Sequence, residues 1–85
     1  MNIAAQNTFT DALLKQTYEG YSVSISGTFV ATVTVQRSPD GVTWYDVENY
    51  TTAQELDGWN ATAFYVRAGI KTGGYTSGTA VVYVR

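Results

Sequence analysis

Apolar and polar residues alternate along most of this chain, with a period of two rather than 3.6. Tyr21, Val23 and Ile25 alternate with Ser22, Ser24 and Ser26. That segment predicts a strand with one apolar and one hydroxyl face. Gly27 ends the run. Phe29, Ala31, Val33 and Val35 form the next apolar face, against Thr28, Val30, Thr32, Thr34 and Gln36. Ser38-Pro39-Asp40-Gly41 predicts a turn, because proline presets its backbone angle and Asp-Gly is a favoured hairpin pair. The chain returns through Val42 to Val47. The polar stretch from Thr51 to Asn60 reads as a connection with room for a short edge strand. Phe64, Val66, Ala68 and Ile70 make another inward face, with Tyr65, Arg67 and Lys71 opposite. Thr72-Gly73-Gly74-Tyr75 is the next turn. Thr79 to Arg85 is the last strand, with Ala80, Val82 and Val84 opposing Val81 and Tyr83. Thr8 to Leu14 carries the weakest pattern. A helical turn capped by Thr10 or Asp11, with Leu14 and Tyr18 four apart, competes with a strand there. The segment has few strong helix formers, and a short isolated helix is marginal, so strand is favoured. These elements predict a single all-β domain over residues 1–85. It is a six- to seven-stranded antiparallel sandwich or a small barrel.

Composition strengthens this reading. β-branched and aromatic residues total 38 of 85, against 16 straight-chain helix formers. The strand tally suits an immunoglobulin- or fibronectin-like sandwich as well as a small jelly roll or barrel. Charged residues make up only 14% and the net charge is -2. A nucleic-acid binder needs a basic face, so that partner class is not expected. No apolar run approaches the roughly 20 residues of a membrane span. The opening residues lack the basic start and apolar stretch of a signal peptide. Met1 to Thr10 is uncharged and is expected to form an N-terminal arm ordered by a neighbouring molecule.

Candidate chemistry is sparse. The chain has no cysteine and no histidine. Disulfides, thiolate chemistry, serine triads and zinc hydrolases are thereby excluded. No cofactor or metal is expected. Asp46, Glu48, Glu55 and Asp57 are the one acidic cluster. Asp46 and Glu48 lie two apart, which places them on one strand face. A carboxylate pair across a cleft can cleave glycosides, but this short chain has little material for a cleft. No Asp-x-Asp-x-Asp-Gly calcium loop is present. Asn49-Tyr50-Thr51 and Asn60-Ala61-Thr62 fit the N-glycosylation pattern, which arises by chance in threonine-rich chains. The chain is therefore expected not to be an enzyme. Tyr21, Phe29, Trp44, Phe64 and Tyr83 are expected in the core. Phe9, Trp59 and Tyr75 are the candidate interface residues, with Trp59 and Tyr75 the most exposed aromatics.

Two resemblances add to this reading. Ser38-Pro39-Asp40-Gly41-Val42-Thr43-Trp44 is similar to the Asp-box of sialidases and related propellers, minus one residue between Asp and Gly. That box implies a structural hairpin, not an active site. Residues 24–38, with 40–47 and 65–79, resemble small β-rich structural proteins of tailed phages and prophages. The resemblance implies a virion protein made in the host cytoplasm, and in particular a head-decoration (cement) protein on the capsid surface. It implies the major capsid protein or another virion protein as partner, with self-assembly into a homo-oligomer. It carries over no catalytic residue. The competing expectation is a carbohydrate-binding or host-adhesion module of a phage tail, using Trp59 and Tyr75.

Overall fold

The computed structural model describes residues Met1–Arg85. Eleven short strands and no helix make up the chain. They are β1 Asn2–Ile3, β2 Thr8–Phe9, β3 Leu13–Lys15, β4 Tyr21–Ser26, β5 Phe29–Ala31 and β6 Val33–Ser38. The rest are β7 Tyr45–Tyr50, β8 Gln54–Gly58, β9 Phe64–Ile70, β10 Tyr75–Gly78 and β11 Ala80–Val84. Six of these, with five to seven residues each, carry the predicted strands (β4, β6, β7, β8, β9 and β11). The polar stretch after Thr51 does contain a strand, β8, and it lies on a sheet edge.

One antiparallel ribbon forms the spine. Residues 23–38 run against residues 65–84, as β4 on β11, β5 on β10 and β6 on β9. The ribbon folds over on itself, so its two ends become the centres of two sheets. One sheet has the order β1-β11-β4-β8; the other has β9, β6 and β7, with β2 and β3 both pairing with β9. Gly27 and Gly78 form the corner. Both have positive φ, +94° and +83°, which only glycine adopts freely. A Cβ on Gly27 would strike the Thr79 carbonyl, and one on Gly78 would strike the Thr28 carbonyl. The two kinks therefore require glycine on both arms of the ribbon, as at other sheet corners. A Thr79 N–H to Thr28 O bond of 2.9 Å crosses between them.

The period-two alternation now has its physical meaning. Val23, Ile25, Val33, Val35, Val66, Ala68, Ile70, Ala80 and Val82 face inward from both sheets and form one buried core. The protein is thus a two-layer all-β sandwich. Its shortest dimension of 17 Å leaves room for two sheets about 10 Å apart and no third layer.

The N-terminal arm does not stand apart. Ile3 is fully buried in the core, and β1 pairs with Ala80 and Val81. Thr8 and Phe9 pair with Ile70 and Gly69, and Leu13–Lys15 pair with Val66 to Phe64. Thr10 bridges the gap: its N–H donates to Ala68 O at 2.8 Å and its hydroxyl accepts from Ala68 N at 3.1 Å. Residues 8–15 form one interrupted edge strand, with no helical turn. Burial of Ile3 and the backbone pairing of residues 2–3 and 8–15 together hold the arm on the sandwich.

Candidate functional site

The outer face of the β9-β6-β7 sheet holds the densest side-chain network. Arg67 on β9 lies over two aromatic rings, with its guanidinium carbon 4.1 Å from the Phe9 centroid and 4.2 Å from the Trp44 centroid. Register explains the first contact. Phe9 sits opposite Gly69, and a Cβ on Gly69 would strike Thr8 O and Phe9. The missing side chain lets the Phe9 ring settle on the sheet beside Arg67. Arg67 Nε donates to Gln36 Oε1 at 2.8 Å, and Gln36 Nε2 donates to Asp46 Oδ1 at 2.8 Å. Asp46 Oδ2 in turn accepts from Lys71 Nζ at 2.7 Å, the one salt bridge of the molecule. These overlying groups bury Gln36 although it points away from the core. Burial lowers the Arg67 pKa from its ordinary value. The Lys71 and Gln36 hydrogen bonds lower that of Asp46.

The β6–β7 connection supplies Trp44. The Ser38 hydroxyl is fully buried, accepts from Gly41 N at 2.8 Å and donates to Asp40 Oδ1 at 2.9 Å. Asp40 Oδ1 also accepts from Val42 N at 2.8 Å and Thr43 N at 2.9 Å. Those backbone donors, Thr43 then Val42, with the Ser38 hydroxyl, hold the Asp40 carboxyl below its ordinary range. The Asp-box-like segment is a self-bonded turn, and its strand begins at Tyr45 rather than Val42. Trp44 is half-buried against Arg67 on the outer face and takes no part in the core.

A second aromatic group sits elsewhere. Trp59 follows β8 and is 67% exposed; Tyr18 precedes β4 and is 70% exposed. Their rings stack, with centroids 6.1 Å apart and planes 30° from parallel. Tyr18 N–H donates to Asn60 O at 2.8 Å, which ties the two loops together. A recess of about 300 Å³ at the same end of the β4–β8 pair is lined by Gly20, Tyr21, Ser22, Asp57, Gly58 and Arg85, and by neither ring.

The two long sides of the sandwich differ. One side carries an open groove of about 490 Å³ lined by Met1, Ala12, Leu13, Val82, Tyr83 and Val84, with Thr10 and Asp11. The other side is formed by edge strands β7 and β8 and carries Asp46, Glu48, Glu55 and Asp57. These carboxylates do not converge. No group of three or more acidic side chains is placed to hold a metal ion. Asp46 and Glu48 do not share a face as the spacing suggested. Val47 is an extra residue in β7, so Asp46 lies opposite Gln36 and Glu48 opposite Val35. Those consecutive β6 residues face opposite sides of the sheet. A bulge and charges are devices that blunt a sheet edge against further pairing.

The three candidate interface residues are thus dispersed. Trp59 is exposed and paired with Tyr18. Phe9 is half-buried against Arg67. Tyr75 is half-buried, packs against the core and donates its hydroxyl to Gly78 O at 2.9 Å. Tyr83, expected in the core, is 44% exposed and lines the groove. Asn60 is fully buried, which closes its glycosylation pattern to modification. The sequence pattern places Tyr18 only in a competing helical turn with Leu14, and Arg67 only as an outward strand residue. No local signal announces either contact, because each joins segments far apart in the chain. No protein-family model, curated protein or solved structure matches the chain.

Proposed function

We propose that this protein is a non-catalytic structural component of a tailed-phage virion, a head-decoration module that docks on the assembled shell and braces it. The resemblance of residues 24–38, 40–47 and 65–79 to such proteins suggests the role. The observation that carries it on this molecule is the apolar groove along Ala12, Leu13, Tyr83 and Val84. That groove lies where the two sheets present β3 and β11, on the side free of the β7 and β8 carboxylates. An extended segment of a shell protein fits there by adding to a sheet edge, with its side chains entering the groove. Many weak copies then act together through avidity.

Quantitative mass spectrometry of purified virions tests the location, with hundreds of copies per particle expected. Ala12→Glu with Tyr83→Glu tests the surface. Both positions are exposed, so the fold should survive while binding to purified shells falls at least tenfold. Absence from virions, or undiminished shell binding by the folded double variant, overturns the proposal.

A further inference from the structure

The Tyr18–Trp59 pair goes beyond shell attachment, because it lies at the Tyr21–Gly58 end of the β4–β8 pair and neither ring lines the apolar groove, which the recess meets only where Arg85 rests over Tyr83. Tyr18 has φ +62°, a left-handed conformation that is an outlier for a bulky residue. The loop holds it there through the Tyr18 N–H to Asn60 O bond of 2.8 Å, a Glu19 N–H to Gln16 O bond of 3.0 Å and a Gln16 N–H to Glu19 Oε1 bond of 3.1 Å. Core packing does not account for this strain, because the ring it positions is 70% exposed. Strain of this kind collects where a side chain is held for binding. Beyond Trp59, the Asn60 amide is fully buried and neither its nitrogen nor its oxygen has a partner, so the loop tolerates a second local cost.

The recess that reaches Gly58, the residue before Trp59, supplies polar groups. Asp57 on β8 provides a carboxylate and Arg85 a guanidinium. Arg85 is tied to Ser22 by two backbone bonds of 2.9 Å, its guanidinium rests over Tyr83, and it pairs with no carboxylate. We infer that these groups form a site for one neutral pyranose ring of a glycan. The apolar C–H face of the sugar lies on the exposed aromatic plate, and its hydroxyls reach Asp57 and Arg85. The volume of about 300 Å³ is at the lower limit for ligand sites, which suits a single sugar ring. Glu19 and Asp57 against Arg85 leave no positive excess to reward an acidic sugar.

The test is an NMR titration of the full chain with maltotetraose, chitotetraose, mannotetraose and galactotetraose. The two tryptophans give two indole N–H signals. For at least one of these sugars the Trp59 signal should move saturably while the Trp44 signal stays in place. Trp59→Ala should weaken that binding at least tenfold. Tyr18→Asn, which keeps a residue tolerant of the left-handed conformation, should do the same, and Asp57→Asn should weaken it severalfold. A Trp59 signal unmoved by all four sugars overturns the inference, as does undiminished binding by Trp59→Ala. Loss of shell binding in Trp59→Ala, without any sugar response in the parent chain, assigns the pair to a protein contact and also overturns it.

Discussion

The two tryptophans of this chain sit in opposite situations. Trp44 shares the cation of Arg67 with Phe9, so its ring already has an internal partner. Trp59 stacks only on Tyr18, and both rings face water. The Trp44 group is wired into the sheet through Gln36, Asp46 and Lys71. The Trp59 group is held by one backbone bond between two loops, with one strained residue. The first arrangement contributes to stability and has little left to offer a ligand. The second contributes little to stability and leaves its aromatic surface available. Aromatic content by itself therefore says little about binding; what matters is whether the fold has already supplied the ring with a partner.

The contrast can be broken by mutation. Arg67→Ala should have the largest effect, about 2–3 kcal/mol of destabilisation in urea unfolding. It removes two cation–π contacts of about 0.5–2 kcal/mol each and a hydrogen bond to a buried amide. Arg67→Lys should recover less than half, since an ammonium lacks the planar fork that lies over the rings. A cost below about 0.5 kcal/mol for Arg67→Ala would show that the group is ornamental. Gly69→Ala should cost about 1–3 kcal/mol, as overpacking does. Its Cβ would strike the Thr8 carbonyl and Phe9 and push β2 off β9, so the Trp44 indole signal should shift while that of Trp59 does not.

Tyr18→Asn should raise stability by up to about 1 kcal/mol, because asparagine tolerates the left-handed conformation better. A measured loss of stability would mean that the Tyr18 ring supports the fold after all. Trp59→Ala should change stability by less than about 0.5 kcal/mol, as expected of an exposed side chain.

Acid should separate the groups as well. The Asp46 pKa is lowered, first by the Lys71 bond and then by the Gln36 bond. Its stabilising contribution is complete above the ordinary value of 3.8 and is lost as pH falls through the lowered folded value. The Trp44 signal should therefore respond to acid in that range. Asp46→Asn should remove the part of the acid dependence that Asp46 carries, and an unchanged profile would detach Asp46 from the Arg67 network.

Much of this molecule is written in neighbouring residues. Alternation at i and i+2 marks β4, β6, β9 and β11 and names their inward faces, because each strand sorts its own side chains between core and water. The turn at Ser38–Gly41 is equally local, since Asp40 and Ser38 bond the backbone of the next few residues. The bending of the ribbon at Gly27 and Gly78 is not local. Each glycine is required by a carbonyl on the opposite arm of the ribbon, about fifty positions away. Sheet membership of the first fifteen residues, the bulge at Val47, and the partners of Trp44, Trp59 and Arg67 were likewise decided by long-range register. Register is set by the burial of whole faces summed over distant strands, and local alternation carries no record of which strand lies next to which.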